Sequence, residues 1–406
     1  MPISEPITVL DIGTTKVVCM HVRPDQSAAG FELLGHAYQE CSGLSRGTVV
    51  DIDDTVRAVQ AVVKEVEAQT KTSIRDVMIG LSGHHVAATS SNGIVGIRNK
   101  EVATVDLERV IEAAKAIALP DNQTIVHTLP QEFIVDGQAG VMKPIGMNGV
   151  RLEARILMLR AASSALQNLV KCVEMCGLRV QQVIAQQLAV SRSVLSNDER
   201  DLGVCLLDIG GGTTDIVVCK RRSLVHVGSV PIAGEHVTND IAVALCTPPK
   251  SAETIKVTHG KILSSDYEGG QYITVDSLSN QTSQKVSIQL LSEVIEARYR
   301  EVFAFVRRNL REHQLQDMIP GGIVITGGAA KVTGLSELAG QIFNCQVRLA
   351  EPTVALKDQS LIDASYATPL GLILQALQER DRLDVSRAGA ISRMWKRFQY
   401  WLDYHL

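Results

Sequence analysis

The hydrophobic pattern begins with a hairpin near the N-terminus and continues as the strands and helices of an α/β protein. Alternating apolar residues on both sides of a Gly-Thr-Thr turn predict the hairpin over Val9–Val18, and Gly30–Cys41 predicts a further strand. Asp51–Thr70 carries valines at helical spacing, and Val77–Ser82 has the pattern of a buried strand. This order of strands and a helix is typical of a sheet covered by helices.

The same pattern returns about 200 residues further along the chain. The apolar runs Cys205–Leu207 and Ile216–Val218 flank a turn with three glycines and predict a second hairpin, after which Leu224–Ile232 predicts a strand. Later in this half we predict strands over Tyr272–Leu278 and Lys285–Leu290, and helices from Gly234, over Leu291–Arg311 and over Tyr366–Leu377. The chain therefore consists of two similar halves.

Residues 84–162 interrupt the first half with a different pattern. Leu107–Ala118 predicts an amphipathic helix, and short strands are predicted over Ile94–Ile97, Ile125–Thr128, Phe133–Val135 and Leu152–Leu159. We interpret this segment as an inserted small α+β subdomain. His84 and His85 at its start have no carboxylate or cysteine at ligand spacing, so we expect them in a loop or at a strand end. The first half then continues with patterns of helix, strand and helix over Ser163–Gly177, Val180–Ile184 and Gln187–Leu195.

The C-terminal segment has a pattern of its own. Gln378–Gly389 is charged and has no periodic apolar face, so we interpret it as a linker. Beyond it, apolar residues recur at helical spacing and form one face, made by Ile391, Met394, Trp395, Phe398, Trp401 and Leu402. The basic residues around the opposite side are Arg393, Lys396 and Arg397. An interfacial membrane helix has this pattern, and the alternative is a terminal helix that packs on the protein's own core.

Composition and charge narrow the class of protein. The 406 residues are 45% hydrophobic and 21% charged, as in soluble globular proteins, and a net charge of −4 gives no bulk basic field for nucleic acid. The eight cysteines include no C-x-x-C pair, which argues against a zinc site. The sequence has neither a signal-like N-terminus nor an apolar run of transmembrane length. We therefore expect an intracellular protein that does not bind nucleic acid.

The two hairpin turns have the composition of phosphate-binding loops. Glycine lets backbone N–H groups come close to an anion because it has no Cβ, and Thr213 and Thr214 add hydroxyl donors. Asp208 can hold the water shell of a cation. A glycine-rich segment over Ile323–Ala330 follows another predicted strand. Three such pieces in this order resemble the ATPase superfamily of actin, Hsp70 and the sugar kinases.

The superfamily resemblance implies ATP between the two halves, with Mg²⁺ held through water by Asp11 and Asp208. The hairpin residues expected around the phosphates are Gly13, Thr14 and Thr15 in the first turn and Gly210, Gly211, Gly212, Thr213 and Asp215 in the second. Lys16 is spaced to bring an ammonium beside the β- and γ-phosphates, or else is a surface lysine on a strand. Any hydrolysis would need a water aligned by Asp208 or Gln186, and the alternative for Gln186 is a residue that simply starts a helix. At most, a weak or regulatory ATPase is expected.

Three further segments are expected on the adenosine side. Gly327 and Gly328 would cover the adenosine. The helix that opens at Gly234 and Glu235 can admit a phosphate or a ribose, because a helix N-terminus favours anions. The candidates for the ribose or the adenine edge are Glu253 and Lys256, for which the alternative is an exposed ion pair worth a few tenths of a kcal/mol.

Added segments narrow the resemblance to one family. The inserted subdomain, the segments Leu129–Phe133 and Thr247–Pro249, and the terminal helix together resemble FtsA, the bacterial cell-division actin homologue. The resemblance implies an α/β, actin-like two-domain ATPase fold of duplicated sheet-and-helix domains, with an inserted small α+β subdomain and a C-terminal amphipathic helix. It also implies filaments of the protein itself on an anionic membrane surface, at the cytoplasmic face of the bacterial inner membrane and the division site. The implied partners are the C-terminal tail of the tubulin-like FtsZ and the cytoplasmic tail of a later divisome protein such as FtsN. Arg300 and Arg307 are expected to face an acidic partner peptide.

The predicted domain boundaries follow from these patterns. The first actin-like domain comprises 7–83 and 163–202 with the insert 84–162, the second comprises 203–232 and 312–377 with the small subdomain 233–311, and the linker 378–389 leads to the helix 390–406. A sugar kinase would share the hairpins but needs an aspartate as base for a hydroxyl acceptor. An Hsp70-type chaperone would continue into a substrate-binding domain. The pilus-assembly protein PilM has a similar insert, but the terminal helix argues against it.

Overall fold

A computed structural model describes residues 5–25, 30–262, 269–277, 283–356 and 358–387 of the chain, with side chains as far as Gln378. In chain order the first half begins with β1 (Ile7–Ile12), β2 (Lys16–Pro24), β3 (Phe31–Glu40), the short pair β4 (Leu44–Ser45) and β5 (Thr48–Val49), α1 (Ile52–Thr70) and β6 (Asp76–Leu81). The predicted hairpin, strand, helix and strand are all confirmed. Asp51 caps α1 by accepting a hydrogen bond from the Asp54 N–H at 2.9 Å, as short polar residues do at helix starts.

The inserted segment forms a four-stranded antiparallel sheet with a helix on it. Its elements are β7 (Ala87–Gly96), α2 (Thr104–Lys115), β8 (Gln123–Val135), β9 (Gln138–Val141) and β10 (Arg151–Ala162), in the order β7-β10-β8-β9. The predicted strands Ile125–Thr128 and Phe133–Val135 are one continuous strand, β8, so their separation is wrong. Two register shifts against β10 break the alternation of β8, and Pro130 beside the second shift has no N–H to donate. The sequence pattern is therefore interrupted where the strand is not.

The first half continues with α3 (Ser163–Glu174), β11 (Arg179–Ala185), α4 (Gln186–Val194) and α5 (Asn197–Leu202). Its sheet has the order β11-β6-β1-β2-β3, in which β6 pairs in parallel with β1 and with β11. Four of the five valines of α1 pack on this sheet and are buried, as their helical spacing predicts: Val59, Val62, Val63 and Val66. The sheet ends at β11 on one side, beside the insert.

The second half repeats this plan. Its elements are β12 (Val204–Ile209), β13 (Thr214–Lys220), β14 (Ser223–Val230), α6 (Gly234–Ala244), α7 (Pro249–His259), β15 (Tyr272–Asp276), β16 (Ser283–Ser287), α8 (Ile288–Glu312), β17 (Ile323–Thr326), α9 (Leu335–Phe343), β18 (Val347–Leu349) and α10 (Ala367–Arg387). The main sheet has the order β14-β13-β12-β17-β18. The prediction of a strand as far as Leu290 is wrong, because Ser287 accepts a hydrogen bond from the Leu290 N–H at 3.2 Å and starts α8 there.

The two halves meet where α4 and α10 cross. A Cβ built on Gly371 would lie 2.1 Å from the carbonyl oxygen of Ala189, so only glycine permits this approach of the two helices. α10 continues through Arg387 and thus covers most of the segment 378–389 that was predicted as a linker. The linker prediction is wrong for that part, because its Gln, Glu, Arg and Leu residues favour helix even without a core-facing stripe.

The predicted amphipathic helix 390–406, with its apolar and basic residues, lies outside the described residues. Among the residues that the structure describes, no helix has the length and apolar character needed to cross a membrane.

Candidate functional site

The turns of the two hairpins have the same backbone arrangement. In the first turn the Gly13 N–H donates to the carbonyl three residues later at 2.9 Å, and in the second turn the Gly210 N–H does the same at 3.0 Å. The prediction that the Thr214 hydroxyl faces an anion is wrong, because this fully buried hydroxyl donates to the Ile232 carbonyl at 2.8 Å. Thr214 therefore anchors the hairpin to the end of β14 and the segment after it.

The two turns lie against each other across the boundary between the halves. A Cβ on Gly211 would lie 2.4 Å from Cγ2 of Thr15, and one on Gly212 would lie 2.6 Å from the hydroxyl oxygen of Thr14. Glycine at both positions thus lets threonines of one half touch the backbone of the other. The structure brings the predicted phosphate-binding residues of both halves to one place.

Two aspartates end the first strands of the two hairpins and are held by residues far away in the sequence. The Gln186 amide donates to the Asp11 carboxylate at 2.6 Å, and the Thr368 hydroxyl donates to the Asp208 carboxylate at 3.1 Å. A Cβ on Gly327 would lie 2.3 Å from the other Asp208 oxygen. The glycine of the third segment therefore stands beside the carboxylate of the second hairpin, and Gln186 is part of the site rather than a mere start of a helix.

Lys16 links the first hairpin to the segment before α10. Its ammonium donates to the Ser365 carbonyl at 2.9 Å and lies 4.7 Å from the centre of the Tyr366 ring, an arrangement that combines a hydrogen bond with a cation–π contact. Burial lowers the pKa of Lys16, and the nearby Asp11 carboxylate opposes that shift. The alternative of a surface lysine is therefore wrong, while a contact of Lys16 with phosphates stays a prediction.

Three carboxylates of the hairpins hold protons more strongly than usual. Burial raises the pKa of Asp11 to about 7, although Lys16 opposes the shift. Burial also raises the pKa of Asp208 to about 6, against the hydrogen bond from Thr368, and the pKa of Asp215 to about 7. A carboxylate is ionised easily in such a place only when a cation joins it.

Asp215 lies in a polar cluster behind the second hairpin. It faces Ser229 across the β13–β14 register, and both Ser229 and Gln187 oppose the burial that raises its pKa. Asp215 is 4% exposed and Gln187 is fully buried, yet within the described residues the Gln187 amide and one Asp215 oxygen have no hydrogen bond of normal geometry. Asp215 is therefore placed behind the turn rather than at its tip.

The predicted adenosine-side residues surround the start of α6. The Gly234 and Glu235 N–H groups donate to the carbonyls of Gly210 and Gly211 at 3.0 and 2.8 Å. These two amides are thus occupied by the second hairpin, in contrast to the expectation that they admit an anion. A Cβ on Gly234 would lie 2.9 Å from Cβ of Ala329, which follows the predicted Gly328.

Lys256 and Glu253 form more than an exposed ion pair. The Lys256 ammonium lies 2.7 Å from the Glu253 carboxylate and also donates to the Gly234 carbonyl at 3.1 Å and to the Thr238 hydroxyl at 2.8 Å. The Lys256 side chain is only 10% exposed. The two acceptors on α6, at Gly234 and Thr238, tie α7 to the start of α6, so the alternative of a solvated pair is wrong.

We expect Gly234→Ala to loosen the contact between α6, the second hairpin and the Ala329 turn. The added Cβ meets Ala329 and the Gly210 carbonyl at 2.9 and 3.2 Å, and such overpacking typically destabilises by about 1–3 kcal/mol. Thermal unfolding followed by circular dichroism, with binding of labelled ATP in parallel, checks this expectation. Gly96→Ala is the matched control, because its Cβ has 3.9 Å to the nearest atom. Equal behaviour of the two variants would contradict the close contact.

The predicted partner-peptide residues line a surface depression between α8 and α9 in the second half. Arg300 and Arg307 border it together with Ala304, Gln341 and Ile342, and its volume is about 360 Å³. Arg300 forms an ion pair of 2.7 Å with Glu296, and the Arg307 guanidinium donates to the Ile342 carbonyl at 3.4 Å. Both arginines thus border one depression, while their contact with an acidic peptide stays a prediction.

His84 and His85 lie in the turn between β6 and β7, so the loop prediction is confirmed.

Three residues of the site were missed by the sequence analysis: Gln187, Ser365 and Thr368. Ser365 and Thr368 had no local signal, since Thr368 and Asp208 are 160 residues apart, and Ser365 and Lys16 are 349 apart.

Solved structures with a similar fold come from actin-like proteins. A PilM–PilN type IV pilus biogenesis complex is similar with a TM-score of 0.63 at 18% identity, covering 91% of this chain and 98% of that chain. MreB5 of Spiroplasma citri bound to AMPPNP has a TM-score of 0.58 at 15% identity, covering 94% and 99%. The protein therefore has the actin-like two-domain fold.

Sequence comparison gives the family. A family model described as cell division protein FtsA matches residues 205–371, and one described as the SHS2 domain inserted in FTSA matches 83–159. The chain is 42% identical to cell division protein FtsA of Pseudomonas aeruginosa over 386 residues, which are 95% of this chain and 92% of that protein. It is 37% identical to FtsA of Escherichia coli K12 over 375 residues, 90% and 88% of the two chains. The chain therefore belongs to the FtsA family of cell division proteins.

Proposed function

We propose that this protein binds ATP with Mg²⁺ between its two halves, forms actin-like filaments and tethers FtsZ filaments to the cytoplasmic face of the bacterial inner membrane at the division site. The observation that carries ATP binding is the convergence of two glycine–threonine turns, one from each half, with Asp11 and Asp208 behind them. Lys16 lies near both carboxylates and opposes their raised pKa values. Membership of the FtsA family supports the role in cell division.

The donor set fits a magnesium nucleotide. The pKa values of Asp11 and Asp208 are raised, because these carboxylates have too little nearby positive charge to stay ionised easily. A hard cation with oxygen ligands supplies that charge. Among the described residues no three His, Cys, Asp or Glu side chains are grouped to bind a metal directly. Mg²⁺ would therefore depend on water and on phosphate oxygens for most of its ligands, as it commonly does.

The phosphates would be bound by backbone N–H groups of the two turns. Because Thr14 and Thr15 touch Gly212 and Gly211, phosphates can enter only if the turns move apart at this point. Nucleotide binding would then change the separation of the two halves, which a filament-forming protein can use as a switch. On the adenosine side, Gly234, Gly328 and the Lys256–Glu253 pair would border the nucleoside.

Any hydrolysis would rest on positioning rather than on covalent chemistry. Asp208 and Gln186 are the groups that would align a water. The Gln186 amide donates one N–H to Asp11 at 2.6 Å, which leaves its second N–H and its carbonyl oxygen to bind a water. The activity proposed here is at most a weak, regulatory ATPase.

We expect the C-terminal segment to carry membrane attachment. The full-length protein should pellet with vesicles of anionic phospholipid in the presence of ATP, and a chain ending at Gly389 should not, because the truncation removes both tryptophans. One short helix with about three basic residues, each worth about 1 kcal/mol near anionic lipid, binds only marginally. Filaments that present many such helices gain avidity, so attachment should increase with assembly. Co-sedimentation with and without ATP measures this.

A matched pair of full-length variants tests whether membrane binding depends on the apolar face of the predicted helix or only on the length of the chain. Trp395→Ser with Trp401→Ser should abolish pelleting, whereas Tyr400→Ser with Tyr404→Ser, on the opposite side of the predicted helix, should retain it. Undiminished pelleting of the truncated chain would count against this role of the tail.

We propose that the Arg300–Arg307 surface binds the acidic C-terminal tail of FtsZ. Its two guanidiniums border one depression, a geometry that suits peptide carboxylates. Arg300→Glu with Arg307→Glu should weaken binding of a labelled tail peptide at least about tenfold, or 1.4 kcal/mol, in fluorescence anisotropy. Arg308→Glu on the same helix is the control, since Arg308 pairs with Glu312 and does not line the depression. An equal loss of peptide affinity in the Arg308→Glu control would mean that only the general surface charge matters and would contradict a specific site.

A later divisome protein such as FtsN is the proposed second partner through its cytoplasmic tail.

The rival functions are less well supported. The likeness to PilM is at 18% identity and concerns the fold alone, whereas the FtsA relatives reach 42% identity over almost the whole chain. A sugar kinase has no use for the Trp-rich tail, and turnover of sugar substrates would be the result that revives it.

A further inference from the structure

Strand β8 of the insert contacts the open edges of both main sheets. β11 is an edge strand of the first sheet and β14 is an edge strand of the second. On one side, the His127 ring accepts a hydrogen bond at Nε2 from the Ala185 N–H at 3.0 Å. On the other side, the Gln131 amide donates to the Leu224 carbonyl at 2.8 Å. One strand of the insert thus holds an element from each half of the protein.

The irregularities of β8 explain how it makes these contacts. In the pairing with β10, His127 faces Leu159 and Ile125 faces Arg160, so that Val126 between them has no partner on β10. In the same way Gln131, between Pro130 and Glu132, has no partner on β10. Such bulges turn side chains out of the regular alternation. The sequence of the Leu129–Phe133 segment, which marked the family resemblance, therefore aims Gln131 at β14.

The contact with Ala185 lies next to two residues that face carboxylates of the candidate site. Ala185 is the residue that caps α4, and the first residue of α4 is Gln186, which binds Asp11. The second residue is Gln187, which lies beside Asp215. Ala185 is fully buried. If its hydrogen bond to His127 is lost, no water can therefore accept from its N–H instead.

β14 provides the second connection. The Leu224 carbonyl on this strand accepts the hydrogen bond from the Gln131 side-chain amide. The Ser223 hydroxyl on the same strand donates to the Gln131 backbone carbonyl at 3.4 Å. Further along the same strand, Ser229 faces Asp215. A shift of β14 against the insert therefore also shifts the partner of the second-hairpin carboxylate.

We propose that His127 is a positioning residue of the nucleotide site, supplied by the inserted subdomain, and that β8 links the insert energetically to nucleotide binding. The proposal rests on the proposed binding of ATP. His127 fixes the N–H that precedes α4 and thereby the placement of Gln186 on Asp11. Because Nε2 accepts this bond, the ring proton resides on Nδ1. By linkage, anything that binds the insert and moves β8 changes ATP affinity, and ATP changes the affinity for that ligand by the same factor.

The test uses the full chain with a fluorescent ATP analogue and Mg²⁺. His127→Leu removes the acceptor at similar size and should weaken ATP binding about tenfold, which is 1.4 kcal/mol. His127→Gln places an amide oxygen near the position of Nε2 and should stay within about threefold of wild type. Thr128→Val, next to His127 but on the other face of β8, is the control and should bind as wild type. Equal affinity of the Leu variant, or equal loss in both His127 variants, would overturn the proposal.

A second measurement distinguishes positioning from general support of the fold. Hydrogen exchange of peptides from β8 and β10 should slow when ATP binds to the wild type, and this response should be lost in His127→Leu and in Gln131→Leu. An unchanged response in both variants would overturn the linkage. If His127→Leu does not fold, His127→Asn replaces it, because the shorter amide does not reach Ala185. Failure of the wild type to bind ATP would overturn the proposed function as well, whereas normal binding with unaffected variants overturns this inference alone.

Discussion

At pH 8, Asp11→Asn should unfold at a higher temperature than the wild-type protein and should no longer be stabilised by Mg-ATP. Burial raises the pKa of Asp11 from 3.8 to about 7, so the folded protein holds this proton more tightly than the unfolded chain does. The stability that comes from this group is complete below about pH 4 and is lost as the pH rises through about 7. An asparagine has no charge to desolvate, and its side-chain oxygen still accepts the Gln186 hydrogen bond.

The size of the effect follows from the shift. About three pKa units correspond to about 4 kcal/mol of folding free energy. The difference between variant and wild type should therefore open between about pH 4 and pH 7 and stay constant above it. Thermal unfolding from pH 5 to pH 8.5, with and without Mg-ATP, measures both parts of the expectation.

The control is Asp121→Asn in an exposed turn of the insert, which should leave the unfolding temperature and its response to Mg-ATP almost unchanged. An Asp11→Asn variant that is no more stable than wild type at pH 8 would mean that burial of the ionised Asp11 carboxylate does not destabilise the fold. A variant that keeps the full response to Mg-ATP would remove Asp11 from the magnesium site. The two outcomes are independent of each other.

The hairpins and the helix α1 were predictable because their signals are local. Alternation on both sides of a glycine turn specifies a hairpin within a dozen residues, and the valine stripe of α1 specifies its buried face. The pairing of Gln186 with Asp11 was not predicted, because the resemblance gave Gln186 only a role in orienting a water. Its physical basis is the close approach of β1, β6 and α4, where Gly80 leaves room for the Gln186 side chain, 2.9 Å from a Cβ built there.

Contacts between the halves could not be read from the sequence. Lys16 finds a backbone carbonyl at Ser365 and a ring at Tyr366, and no local pattern distinguishes that carbonyl from any other. The two bulges of β8 were hidden for a related reason, because an extra residue shifts the alternation and makes one long strand look like two. The continuation of α10 to Arg387 was missed because a charged helix without a core stripe has the composition of a linker.

Gly371→Ala should destabilise the protein and weaken nucleotide binding together, because the two connecting helices cross at this residue. The added Cβ would lie 2.1 Å from the Ala189 oxygen, 2.4 Å from the Ala189 carbonyl carbon and 3.1 Å from the Val190 nitrogen. All three atoms are backbone, so no side chain can rotate away. The helices must separate instead, and overpacking of this kind costs about 3 kcal/mol or more. α4 carries Gln186 and Gln187 at its start, so its displacement also moves the partners of Asp11 and Asp215.

Gly340→Ala provides the matched control, since Gly340 also lies within a helix but its Cβ would have 3.7 Å to the nearest atom. There the alanine should raise stability by about 0.5–1 kcal/mol, because glycine is a poor helix former. Urea unfolding gives the two free energies, and titration with labelled ATP gives the two affinities. If Gly371→Ala were as stable as wild type but bound ATP weakly, the crossing would serve the site more than the fold. If both variants gained stability, the helices would have to be further apart than the structure has them, and α4 could not hold Gln186 on Asp11.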